Sequence, residues 1–113
     1  MRTSITHLVE RVAAQVVTIL NTETTNHFHF QKQGYLKGIA YSLNNNTNNV
    51  TSVITVLDDE GQTLYTSAAL NENTVGYLKP DIALADVDHR LIVTSADPGA
   101  TGNLATITLL IER

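Results

Sequence analysis

A chain of 113 residues, 42% hydrophobic and 16% charged, holds enough apolar material for one core and is too short for two. Its formal net charge of −4 at pH 7 argues against a general nucleic-acid binder, which needs a basic face to displace counterions from phosphates. With no cysteine, disulfides, thiolate nucleophiles and cysteine-based zinc sites are excluded.

Aromatic residues make up only 5% and tryptophan is absent, so the core has to be built from Val, Ile, Leu and Ala. Threonine, with sixteen residues, favours the half-buried surface of a strand, and asparagine, with ten, favours turns. The composition predicts strands joined by polar turns.

At the N-terminus, Glu10, Arg11 and Gln15 interrupt any apolar run after Met1-Arg2-Thr3-Ser4. No signal peptide is expected there, and no stretch approaches the roughly 18 apolar residues of a membrane span. No polybasic run marks an anionic membrane surface. Ile5, Leu8, Val9, Val12, Ala13, Val16, Val17 and Leu20 follow a helical stripe that Thr3 or Ser4 would cap. Val16 to Leu20 is nevertheless rich in β-branched residues. The expectation is a strand from about Gln15, with residues 5–14 as a short helix or an extended arm.

His27 and His29 flank Phe28, so on a strand both imidazoles project from one face. That spacing suits a metal if His7, His89 or Glu23 supplies a third ligand. Two surface or interface histidines are the simpler reading. Gly34 to Leu43 reads as a strand, with Leu36, Gly38, Ala40 and Ser42 on one face and Tyr35, Lys37, Ile39, Tyr41 and Leu43 on the other. Gly38 in its middle implies a bulge or a close neighbour. Asn44 to Asn49 is then a polar loop, expected to be mobile. Two glycosylation sequons in this region are by-products of its asparagine content.

Val53 to Leu57, Asp58-Asp59-Glu60-Gly61 and Gln62 to Thr66 form a hairpin signature, with Gly61 at a position of positive φ. The acidic turn lacks the alternating oxygen ligands and later glutamate of a calcium loop. Val75 to Leu78 and Ile82 to Leu84 are short strands, placed at a sheet edge because Pro80 cannot donate to a ladder. Asp81, Asp86 and Asp88 form a second acidic group, available to a cation or to Lys79 and Arg90. Arg90 to Ser95 is a strand, Asp97-Pro98-Gly99 a turn, and Leu104 to Ile111 the longest clean strand. Period 2 puts Ala105, Ile107, Leu109 and Ile111 in the core, and so apolar a strand implies pairing on both sides.

About eight short strands without βαβ alternation predict an all-β fold, an antiparallel sandwich or jelly roll, as a single domain over residues 1–113 with 1–14 as a candidate N-terminal arm. The five serines include no nucleophile elbow, and no glycine loop cradles phosphate, so neither an enzyme nor a cofactor is expected. A carbohydrate-binding module is a rival of similar size, with Tyr35 and Tyr41 as its stacking candidates.

The segment from Gln15 to Arg113 resembles the capsid decoration (cement) proteins of tailed phages. The likeness is carried by Val17 to Asn21, Gly34 to Ile39, Ile54 to Ala68 and Ala105 to Ile111. It implies a jelly-roll virion protein, made in the host cytoplasm, that sits on the outer capsid surface and bridges major capsid subunits as a homotrimer or homodimer. A tail, neck or fibre component is the first alternative. The apolar residues Ile5, Leu8, Val9 and Val12, which a sandwich starting at Gln15 does not need, are the candidate contacts to a partner.

Overall fold

The computed structural model describes residues 9–113, whose regular structure is strands without a helix. In chain order these are β1 (Val9–Ile19), β2 (Thr25–Phe30), β3 (Gly34–Leu43), β4 (Ser52–Leu57), β5 (Thr63–Thr66), β6 (Thr74–Leu78), β7 (Ile82–Leu84), β8 (His89–Ser95) and β9 (Asn103–Glu112). One sheet runs β1-β9-β3-β6, with β7 also paired to β3, and the other runs β2-β8-β4-β5. Every pairing is antiparallel. The pairs β4·β5, β3·β6/β7, β2·β8 and β1·β9 nest as one long hairpin. It is rolled so that β9 lies against β3 and β8 against β4, which is jelly-roll order. The predicted all-β sandwich is therefore the observed fold. The ninth strand is β2, which carries His27 and His29.

The core lies between the sheets. Ala105, Ile107, Leu109 and Ile111 are all buried, as period 2 predicts, and β9 is paired on both sides. Ile54, Val56, Leu91 and Val93 face them from the second sheet. Each such side chain contributes roughly 1.5–3 kcal/mol when fully buried. One polar tie crosses this interior: the buried Asn103 Nδ2 on β9 donates to Ser52 Oγ on β4 at 2.7 Å.

Two bulges alter the faces expected from simple alternation. In β1 the register with β9 shifts between Val12 and Gln15. The extra residue breaks period 2, so apolar positions on either side of it imitate helical spacing. Residues 9–14 are accordingly strand paired to β9, in place of the helix or free arm expected, and residues 1–8 lie outside the described region. In β3 the register shifts between Leu36 and Gly38. Leu36 therefore faces the core together with Ile39 and Leu43, while Gly38, Ala40 and Ser42 face outward. Gly38 has the predicted close neighbour as well, because a Cβ there would overlap the Tyr77 ring.

The β4–β5 hairpin closes as predicted. Asp58 Oδ1 accepts from the amides of Glu60 and Gln62, both at 2.9 Å, and Gly61 has φ of 81°. The Asn44–Asn49 loop is pinned where mobility was expected. Asn46 is buried, its amide closes on Val50 through two hydrogen bonds, and its backbone N–H donates to Glu72 at 2.6 Å. Asp97 Oδ1 accepts from the amides of Gly99 and Thr22, each at 3.0 Å. Those two donors, Gly99 first, hold the Asp97 carboxyl below the usual range.

Candidate interaction surface

The register of the five-stranded sheet fixes which side chains stand on its outer face. Val16, Thr106, Ser42 and Val75 form one row across β1, β9, β3 and β6. Thr18 and Leu104 lie in the row above, and Thr108, Ala40 and Tyr77 in the row below. None of these rows contains a charged side chain. Charge enters only further along, where Arg11 joins Leu110 and Gly38, and Glu112 joins Val9 and Tyr35.

Exposure singles out the same face. The exposed large apolar and aromatic residues are Val9, Val16, Leu20, Tyr35, Val75, Tyr77 and Leu104. Four of the seven, Val16, Val75, Tyr77 and Leu104, stand in the three uncharged rows, Val9 and Tyr35 share the row of Glu112, and Leu20 directly follows β1. Val75 is 78% exposed and Val16 60%, at opposite ends of one row. The three uncharged rows span five residues at ~3.4 Å each across four strands about 4.8 Å apart, an area on the order of 300 Å². That lies within the ~300–600 Å² of the largest patch on a typical monomer, which is often functional, and below the ~800 Å² per partner of a standard stable interface.

The outer face of the four-stranded sheet is more polar, with Val53 and Ile92 half-buried among histidines, threonines and Arg90. His27 and His29 project together, as predicted, with ring centroids 5.1 Å apart and edge-on. His29 Nδ1 meets Asp88 Oδ2 at 2.9 Å. Arg90, Thr55 and Thr66 continue this face. The suggested third metal ligands do not join the pair. His89 is buried on the core side, stacked on Phe30, and Glu23 Oε1 accepts the Leu20 amide; His7 lies outside the described residues. The second acidic group is likewise divided among partners: Asp81 takes Lys37 at 2.8 Å, Asp86 takes Gln31, and Asp88 takes His29. Its suggested pairing with Lys79 and Arg90 is not what forms.

Of the candidate partner contacts, Val9 is exposed on the outer face and Val12 packs against the core. Ile5 and Leu8 lie outside the described residues. The tyrosine pair proposed for sugar stacking does not share a face, because the β3 bulge sends Tyr35 outward and Tyr41 inward, against the core over Gly76. Tyr77 does face outward, but its ring lies across Gly38 instead of standing free.

The sequence matches no family model and no curated protein. Solved structures share its fold. A mitogen derived from Yersinia pseudotuberculosis superposes with a TM-score of 0.55 at 10% identity, over 90% of this chain and 86% of that one. The carbohydrate-binding module TmCBM61, solved with β-1,4-galactotriose, superposes with a TM-score of 0.52 at 11% identity, over 95% and 88%. A chain of the T13 particle of infectious bursal disease virus gives a TM-score of 0.53 at 10% identity, and this protein covers 33% of it. At such identities the likeness is one of fold. The class so defined is an antiparallel β-sandwich of the kind seen in viral capsid proteins and in a carbohydrate-binding module.

Proposed function

We propose that this protein is a non-enzymatic structural component of a virion that decorates a phage capsid and stabilises it by bridging major capsid subunits. The observation that carries the reading is the outer face of the five-stranded sheet. Interfaces are depleted of charge at their centres, and the three central rows of this face carry none, with Val16, Val75, Tyr77 and Leu104 exposed among Thr, Ser and Ala. Val16, Val75 and Leu104 are not among the side chains that fill the core. The jelly roll and the resemblance to decoration proteins support a place on the shell.

The size of the face bears on how it is used. A patch on the order of 300 Å² gives a weak single contact, which a symmetric array strengthens by avidity. The long edge strand β1, which has no further strand beyond it among the described residues, offers a second contact for a homotrimer or homodimer.

Cryo-electron microscopy of particles from the phage that encodes the chain tests this reading. It predicts density on the outer shell at a fixed ratio to the major capsid subunit, with β1, β9, β3 and β6 turned towards the shell or a sister copy. Density at the tail, neck or fibres would replace the capsid location with the alternative one. Absence from the particle would refute both.

A further inference from the structure

We propose that the outer edge of β1 pairs antiparallel with β1 of a second copy, about a two-fold axis at Val16, so that the two five-stranded sheets run on as one. This deepens the decoration reading by naming the partner and register of the second contact. It rests on that reading for the shell and not for the dimer itself.

The borders of the two sheets differ in how they are guarded. One sheet ends in β1 and β6, with β7 also at a border, and the other ends in β2 and β5. Proteins keep such borders from pairing with other chains by making them short, charged, bulged or rich in proline. β5, β6 and β7 are three to five residues long, and Lys79 and Pro80 follow β6. β2 has six residues, two of them histidines. β1 has eleven, with no charged side chain from Val12 to Leu20. Its bulge lies ahead of Gln15, and from Gln15 to Ile19 the register with β9 is regular.

The backbone shows where this edge points. Leu104 turns both its polar groups to Asn44, just past β3: its N–H donates to Asn44 Oδ1 at 2.7 Å and its C=O accepts the Asn44 amide at 3.1 Å. Thr18, opposite Leu104, therefore turns its own groups away from β9, and there Asn26 Nδ2 reaches Thr18 O at 2.8 Å. Two residues back, Val16 turns its N–H and C=O the same way, towards an edge beyond which no strand lies among the described residues. The side chains agree. Alternation in a sandwich covers every second residue of a strand, yet Ala13, Ala14, Gln15 and Val16 are exposed in succession. The second sheet does not cover this stretch.

A second copy of the chain fits it. In an antiparallel pair centred on Val16, the two Val16 side chains face each other, Gln15 meets Val17 and Ala14 meets Thr18, so no like charges are opposed. The outer faces then join, and the row Val75, Ser42, Thr106, Val16 continues through the same four residues of the second copy. The uncharged patch grows from on the order of 300 Å² to on the order of 600 Å², close to the ~800 Å² that one side of a standard interface needs. An extended segment of another protein would pair with the same backbone without doubling the face.

Sedimentation velocity of the full chain up to roughly 100 µM, without particles, tests the pairing apart from the shell. A reversible dimer is expected. Val16→Lys and Val16→Glu should each weaken it about tenfold or more, because the axis sets two like charges against each other, and an equimolar mixture of the two should restore it. Val16→Cys should oxidise to a disulfide-linked dimer, since residues facing each other across such an axis stand about 5.5 Å apart at Cα, within disulfide range. Val75→Cys, also exposed but at the far end of the row, should not. A monomer at every concentration, a trimer, or a Lys/Glu mixture that stays monomeric overturns the proposal. A dimer that fails to bind particles leaves the pairing standing and refutes the decoration reading alone.

Discussion

The two sheets turn different faces to the outside. Both obey the same alternation inward, with Ile54, Val56, Leu91 and Val93 of one sheet meeting Ala105, Ile107, Leu109 and Ile111 of the other. Outward they diverge. The four-stranded sheet shows His27, His29, Arg90 and threonines around half-buried Val53 and Ile92, while the centre of the five-stranded sheet shows exposed Val16, Val75, Tyr77 and Leu104 among Thr, Ser and Ala, with Arg11 and Glu112 towards one end. Folding constrains only the inward set. The difference between the outward sets therefore reports on what each face meets.

Substitutions along β9 set the scale of that contrast. Ile107→Ala should cost roughly 2–5 kcal/mol, because Ile107 is fully buried between the sheets. Thr108→Ala, one residue on and facing outward, should change stability by no more than about 0.5 kcal/mol. Denaturant unfolding measures both, and a cheap Ile107→Ala would mean the strand is inside out.

Asn103→Ala should cost about 1–3 kcal/mol, since it removes the amide that donates to the buried Ser52 hydroxyl across the core. The same unfolding experiment checks it, and a neutral result would show that the tie between the sheets carries no stability.

Val16→Glu/Val75→Lys should leave stability within about 1 kcal/mol of the parent, as expected for two exposed sites about 0.5 kcal/mol each, yet abolish binding to particles. His27→Ala/His29→Ala, on the other sheet, should leave both stability and binding unchanged. Co-sedimentation with particles reads the binding. If the histidine pair lost binding and the valine pair kept it, the faces would exchange roles.

The smallest effect is one of pH. Asp97 is held low by the amides of Gly99 and Thr22, and Glu10 by Lys32 first and Arg113 as well. A carboxyl with a lowered folded pKa stabilises the fold above its unfolded value of about 3.9–4.3, and that contribution is lost as pH falls through the folded value. The thermal midpoint should therefore hold steady down to about pH 5 and decline below about 4, with a shallower decline in Asp97→Asn.

Much of this architecture is legible in the sequence, for local reasons. The β4–β5 hairpin is specified by an Asp at the head of its turn and a Gly at positive φ, and β9 by the alternation from Ala105 to Leu109. The two bulges were only half visible. Gly38 advertised one, but its effect on phase, which places Tyr35 and Tyr41 on opposite sides, depends on the register with β9. The β1 bulge has no glycine, and the sequence before Gln15 suits a short helix or an extended arm as well as a strand. The outer face was not legible, because its central row draws Val16, Ser42, Val75 and Thr106 from four distant segments, each ordinary where it stands. His89 is one residue out of phase for joining His27 and His29: it pairs with Phe30 in the β2–β8 register, which turns it to the inner side of the sheet.

The docking face can be tested most directly by site-specific thiol labelling, for which a chain without cysteine is well suited. Val75→Cys and His27→Cys place one thiol on each outer face. Labelling rates are compared between free and particle-bound protein. The account predicts that binding slows labelling at position 75 at least about tenfold and leaves position 27 unchanged. Equal rates at position 75 in both states, or protection at position 27 alone, would contradict it.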